Sequence, residues 1–462
     1  MSTDELRAAL TRHLRDLDGV RGSLTGLTRL TGGASRETWL VTVTDSAGTE
    51  RELILRRDPP GAEDPARMGR EATVLREAHA AGVAVPRLID HSGRHTVDGL
   101  GPAYLLMEKV SGEALPQRLL RDDRYSTVRK TLPYEMGRML ARIHSIPTAA
   151  LTGFPADDPL EQLFDQYLTT GPPLPVLELT FRWLRDHRVP SVGTGVVHGD
   201  FRNGNLLVDE TGIRAVLDWE LTHLGDPLED LGWLCVKTWR FGSPEPVGGF
   251  GSRDELFRGY EDESGSTPDP DAVHWWEVYG TLRWAVMCRI QANRALVHGE
   301  GNALELLAIG RRIAESEYDL LQLSGWEDAV AIADVDAAPA GGNDLFGSPS
   351  AEELSQAVTA FVRDHVASDA AARYQSRIAA KVLGILAREA AYGGHLRQLH
   401  RSALDALGFG DEAELALALR DGSRTLAEPE IARAVGQAIS ARLTVANPDY
   451  RTRSRDDHGA TE

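Results

Sequence analysis

Cysteine is almost missing from this sequence: Cys235 and Cys288 are the only two among 462 residues. That excludes a disulfide framework and makes a reducing compartment the simpler setting, with both thiols as small buried hydrophobes. Long apolar runs are missing too. No stretch approaches the ~20 residues that span a bilayer. The N-terminal "MSTDELRAALTRHLRDLDGV" is a charged amphipathic helical pattern without the apolar core of a signal peptide. Positive charge is in deficit, with 50 Lys and Arg against 69 Asp and Glu and a formal net charge of −19. Such a surface lacks the basic footprint that nucleic acid or an anionic membrane requires. These absences point to a cytoplasmic globular protein, no nucleic-acid or membrane partner, and, at this length, two or three domains. A polyanionic ligand would need a local cationic cluster.

The pattern along the chain changes twice. "TWLVTVTDS" (38–46) and "RELILRR" (51–57) read as a β-hairpin, preceded by the Gly/Ser/Thr loop "LTGGASRET" (30–38) and followed by a helix over 66–81 that ends at Gly82. "AVPRLIDHS" and "AYLLMEKVSGE" read as two more strands. From Tyr134 the pattern turns helical, with one long helix expected over 302–323. The segment 333–350, rich in Ala, Pro, Gly and Asp, reads as a linker. Beyond it, 351–446 is a series of amphipathic helices, and 447–462 reads as a disordered tail.

The densest chemistry lies in "VVHGDFRNGNLLVDETGIRAVLDWE" (196–220). Short apolar runs at 206–208 and 215–217, joined by the turn "DETG", form a hairpin. Its open end brings Asn205 and Asp218 close, with Asp200 on the loop above. Asn and Asp oxygens suit Mg²⁺, a hard cation that relies on substrate phosphates for the rest of its shell. Asp200 stands apart as a carboxylate able to accept a hydroxyl proton. Phosphoryl transfer needs this division of labour. Any one of these residues alone would be an ordinary turn residue; the joint spacing behind His198-Gly199 is not.

"HGDFRNGN" resembles the catalytic loop of the aminoglycoside phosphotransferase-like kinases, which write H-G-D where protein kinases write H-R-D. The resemblance covers roughly residues 20–325, includes "LGDPLEDLGWL" (224–234), and is closest to the phosphotransferase domains fused to acyl-CoA dehydrogenases, through "LRRDPPG" and "MEKVSGE". It implies an α+β, protein-kinase-like bilobal fold: a small β-rich N-lobe (1–110) and a larger, mainly helical C-lobe with the catalytic loop (111–332). A separate all-α domain (351–446) follows and is not recognised. It further implies ATP and Mg²⁺ as cofactors, Asp200 as base, Asn205 and Asp218 as metal ligands, and His198 as a structural brace. Arg202 sits where protein kinases place a phosphate-contacting Lys. Gly32, Gly33 and Ser35 occupy the place of the phosphate-covering loop, and Arg56 that of the phosphate-binding Lys, with Glu71 as its ion-pair partner. Backbone groups from Glu108 to Val110 would meet adenine.

Asp226 and Asp230 could contact substrate, but capping a helix that opens with Pro227 and bracing the loop is the plainer reading. The aromatic run 274–284 reads as core, and His144 and His223 as structural. "RLLRDDRYSTVRK" (118–130) reads as a solvated charged helix, or as a basic rim for phosphates. The resemblance implies a kinase for the hydroxyl of a small molecule, a hydroxyacyl or acyl-CoA-like acceptor being the first expectation. An aminoglycoside, amino-alcohol or sugar acceptor is the alternative. A second class is a pseudokinase-like ATP-binding scaffold, with the C-terminal helices as a surface for self-association or a partner protein. A metal-dependent phosphoesterase would need a His/Asp ligand set that this sequence does not contain.

Overall fold

Apolar side chains alternate along Glu37–Thr44 (β2) and Glu50–Arg57 (β3), so one face of each strand is buried and the other is free for polar work. The computed structural model describes residues 3–451 except 18, 31–35, 60, 62, 93–98, 299–302, 328, 331–344, 348, 351–352, 356, 359–360 and 362–369. Within it, β2 and β3 pair antiparallel in a five-stranded sheet with Ser23–Leu30 (β1), Leu88–His91 (β4) and Tyr104–Glu108 (β5), in the order β1-β2-β3-β5-β4. Trp39 faces Leu55 and Val41 faces Leu53. Against this face the helix Thr3–Asp16 buries Leu6, Ala9, Leu10 and Leu14. His13 Nε2 and Tyr104 Oη both bond Asp90 Oδ2, at 2.7 and 2.8 Å. The opposite face of β3 carries Arg56.

The chain divides into two compact units: residues 1–157 with 190–277, and residues 158–189 with 278–462. The first holds the sheet, the helices Pro65–Ala80 and Leu132–His144, and the segment 196–220. In that segment Leu206–Asp209 (β7) and Gly212–Val216 (β8) form the hairpin, with Leu206 opposite Val216. Gly195–Val197 (β6) pairs with His223–Gly225 (β9). The helix Leu228–Cys235 follows.

The second unit is helical. Its helices Pro159–Leu168 and Pro175–Asp186 come from the stretch expected within the helical lobe. The helix expected over 302–323 is two, Ala303–Gly310 and Ile313–Leu323. The break at Arg311 lets its guanidinium bond the carbonyls of Phe346 and Pro349 and the carboxylate of Glu389. This corrects part of the linker expectation. Residues 333–344 lie outside the described residues, but Leu345 and Phe346 are buried in the core of this unit. The tail boundary shifts likewise. Tyr450 donates to Asp319 at 2.6 Å and Asn447 to Glu315 at 2.9 Å, while 452–462 lie outside the described residues. One helix, Ala370–Leu407, runs well past the Gly393-Gly394 pair where the sequence pattern stops, and Glu412–Asp421 and Pro429–Ala446 complete the unit.

The stretch 118–130 is not one helix. It is a short helix, Pro116–Arg121, followed by two 3₁₀ turns. Arg118 is held by Glu113, Arg124 by Glu210, and Arg129 by the carbonyls of Leu119 and Asp122. These arginines serve the local chain rather than an open basic rim. Trp275, Trp276, Tyr279 and Trp284 are buried, as core aromatics should be. Both cysteines are free and buried, and burial pushes each thiol up to about 12.

Candidate active site

The loop after β6 is built around a buried carboxylate. Asp230 accepts the backbone N–H of His198 at 2.7 Å and of Gly199 at 2.9 Å, and His144 Nε2 lies 3.2 Å away. Burial raises this carboxyl, but the His144 hydrogen bond and the neighbouring imidazoles outweigh it and hold it below the usual range. Asp230 is therefore an ionised anchor within the fold. Asp226 is also structural in geometry, accepting from Leu228 N at 2.9 Å at the start of its helix and from Val192 N. His223 bonds Glu229, and His144 also bonds Tyr260.

His198 is fully buried, and desolvation holds its imidazole below the ordinary value against the opposing pull of Asp230 and Asp200. Its Nδ1 accepts from Asp200 N at 3.1 Å, so the Nε2–H tautomer donates to Leu217 O at 3.1 Å. One neutral ring thus ties the loop bearing Asp200 to the strand end bearing Asp218. Gly199 turns the loop at φ +78°, where a Cβ would meet Leu221 O at 2.5 Å; only glycine fits.

Asp200 carries three donors on its carboxylate. Oδ1 accepts from Arg202 Nε at 2.9 Å and from Trp233 Nε1 at 2.9 Å, and Oδ2 accepts from Asn205 Nδ2 at 2.6 Å. Asn205 Nδ2 also donates to Asp200 O at 3.0 Å, which leaves Asn205 Oδ1 as the atom free to meet a cation. Leu217 N donates to Asn205 O at 2.8 Å, bringing Asp218 beside it. Asp218 sits at φ +67°, a conformation that costs a non-glycine residue about 1–2 kcal/mol and that clusters at functional sites.

Arg202 was expected to reach phosphate. In this structure its guanidinium pairs with Asp200 and lies 4.4 Å over the Trp239 ring. A guanidinium two residues from a carboxylate satisfies its charge locally first.

On the sheet side, Arg56 bridges two carboxylates: Nη1 donates to Glu71 Oε1 at 3.1 Å and Nη2 to Asp218 Oδ1 at 3.0 Å. Arg36, which the sequence reading passed over, is more central. It is buried, bonds Glu71 directly, donates to Asp58 at 3.1 Å and lies 3.6 Å from Glu220. Burial and the charge of Asp218 raise the Glu220 carboxyl, with Arg36 opposing. Gly32, Gly33 and Ser35 lie outside the described residues. In the segment expected to meet adenine, the amides of Glu108 and Lys109 already donate to Arg87 O and Glu52 O. The Glu108 carboxylate pairs with Arg51 and Arg87. Val110, rather than Glu108, is left to offer a backbone donor there.

The oxygen donors Asn205 Oδ1 and Asp218 fit Mg²⁺ held jointly with substrate phosphates. Among the described residues no group of three or more His, Cys, Asp or Glu is arranged to hold a metal by itself. The residues missed from sequence are Arg36, Asp58, Glu220, Trp233 and Trp239. A lone Arg in a Gly-rich loop was the one signal for the first. The tryptophans had none, because aromatic residues near a helix read as core.

Comparison with known proteins agrees with the fold. Over 346 residues the chain is 29% identical to acyl-CoA dehydrogenase family member 10 of Mus musculus, covering 69% of this chain and 31% of that protein. Over 251 residues it is 27% identical to acyl-CoA dehydrogenase family member 11 of Homo sapiens, covering 50% and 30%. The chain thus spans about a third of the length of the curated relatives it matches. A crystal structure from Ralstonia eutropha, assigned as an aminoglycoside phosphotransferase, superposes with a TM-score of 0.54 at 23% identity, covering 70% of this chain and 98% of that one. That likeness shows the α+β, protein-kinase-like fold. Residues 365–450 match a domain of unknown function, DUF6285. Residues 26–276, which contain all of the sheet but the first residues of β1, the Asp200 loop and the Asp218 turn, match the phosphotransferase enzyme family, and the chain belongs to it.

Proposed function

We propose that this phosphotransferase moves the γ-phosphoryl group of Mg-ATP to a hydroxyl of a small molecule. The observation that carries the reading is the carboxylate of Asp200, held by three donors on a loop whose amides are anchored by buried Asp230. Asp200 accepts the proton of the acceptor hydroxyl while its oxygen bonds the γ-phosphorus and the bond to the β–γ bridging oxygen breaks, releasing ADP. Asn205 Oδ1 and Asp218 hold Mg²⁺, which when bound offsets the charge of the phosphate oxygens. Arg56 lies between Glu71 and Asp218, where a guanidinium can turn toward phosphate. Arg202 is paired with Asp200 and leaves no net charge there to select the acceptor. A hydroxyacyl or acyl-CoA-like acceptor is the reading that the acyl-CoA dehydrogenase names of the relatives favour.

The test is a screen of hydroxylated acids, their CoA esters, amino alcohols and sugars for Mg-ATP-dependent phosphorylation, with Asp200→Ala alongside. Phosphorylation of one class, lost in the variant, is the expected result. ATP binding with no transfer to any class, and equal ATP hydrolysis by both proteins, would instead favour the scaffold reading.

A further inference from the structure

The helix Leu228–Cys235 does two things for the loop it faces. Asp230 anchors the amides of His198 and Gly199, and Trp233, three residues on and so on the same helix face, donates its indole N–H to Asp200 Oδ1 at 2.9 Å. Trp233 is 1% exposed, and its ring lies 5.1 Å from that of Trp239. An ionised carboxylate offers about four lone-pair sites. Trp233 and Arg202 fill both on Oδ1, and Asn205 fills one on Oδ2. One site remains, on Oδ2.

We propose that Trp233 is a positioning residue for Asp200: its indole N–H fixes the carboxylate so that Oδ2 alone faces the acceptor hydroxyl. The proposal rests on the phosphoryl transfer assigned above. The χ2 torsion of Asp is broad and twofold, so without a rigid donor the carboxylate can swing between orientations. Arg202 is a poor rigid donor, being long and partly exposed, whereas the indole is clamped in the core. Trp233 touches neither acceptor nor nucleotide in this role. It sets which oxygen takes the proton that the acceptor releases as its oxygen bonds phosphorus.

The experiment uses the full chain with Mg-ATP and water as acceptor, followed by ADP release. Trp233→Phe keeps an aromatic ring and removes the N–H. The expected result is a fall in kcat of roughly tenfold, the size of one hydrogen bond to a charged group. The KM for ATP should stay within about twofold. In an Asp200→Asn background the same substitution should change kcat by less than about twofold, because the group it acts through is gone. A structural role would lower kcat equally in both backgrounds, and that result overturns the proposal, as does an unchanged kcat in Trp233→Phe. If Trp233→Phe lowers the melting temperature markedly, benzothienylalanine at 233, isosteric and without the N–H, replaces it with the same expectations. Full activity in Asp200→Asn would overturn the functional reading itself. Loss in Asp200→Asn with full activity in Trp233→Phe would overturn only this proposal.

Discussion

Both units bury charge, and they use it differently. In the second unit the buried and half-buried pairs join segments distant in sequence: Arg420 with Glu178 across 242 residues, Arg442 with Glu317 across 125, and Arg311, at a helix break, with Glu389 across 78. Their partners sit on regular helices, where the pair serves to register one helix on another. In the first unit the anchors Asp230 and Glu71 also sit on helices, but the two candidate-site carboxylates sit on turns, Asp200 beside a glycine of positive φ and Asp218 in the left-handed region itself. There an oxygen keeps accepting capacity, and a neighbour is placed to use it. Buried charge alone therefore does not mark a site. Backbone that holds a partly satisfied carboxylate does.

The largest expected difference between the units comes from Asp200. Asp200→Asn should lower phosphoryl transfer by roughly 10²–10⁴-fold with the melting temperature nearly unchanged, as activity and thermal unfolding assays would show. Asp230→Ala should break the comparison from the other side. It leaves two loop amides and His144 without their buried partner, costing about 3–5 kcal/mol of stability in denaturant titration, with activity lost as well. At pH 8, where Glu317 is ionised, Arg442→Met strands it in the second unit and should cost stability in the same range; a shift below about 1 kcal/mol would mean that this pair is not a fastener. Arg56→Lys should have a smaller effect. A point charge cannot bridge Glu71 and Asp218 together, so the KM for ATP should rise several-fold with kcat changed less.

The smallest effect is a pH slope. Burial, only partly offset by Arg442, pushes Glu317 up to about 7 from an ordinary 4.5. The folded state then holds a proton that the unfolded chain has released, so this group lowers stability as pH rises from 4.5 to 7. Glu317→Gln should remove that slope, seen as a flatter stability curve than the wild type over that window.

The catalytic loop was legible because phosphoryl transfer needs particular residue types at particular spacings, and a spacing survives in one dimension. The sheet was legible where apolar and polar residues alternate, as in β2 and β3. The strand β1 was not, because "SLTGLTRL" is an edge strand with no fully buried residue and a bulge between Leu24 and Gly26. Gly393 lies inside the helix Ala370–Leu407, where its missing side chain makes room for the Phe346 ring, 3.1 Å from where a Cβ would stand. Such an approach is decided by residues nearly fifty positions away. The pairing of Arg36 with Glu71 and Asp58, and of Trp233 with Asp200, is likewise set by tertiary geometry that no local window contains.

The anchoring of His198 and Gly199 by one buried carboxylate has a kinetic corollary. Neither amide can meet solvent until the helix carrying Asp230 lets go of the loop. Their deuterium uptake is therefore a clock for that release, running at the pace of the rarest opening of the first unit. Frayed turns nearby would label within seconds, while these two positions stay protonated for as long as the catalytic loop keeps its shape.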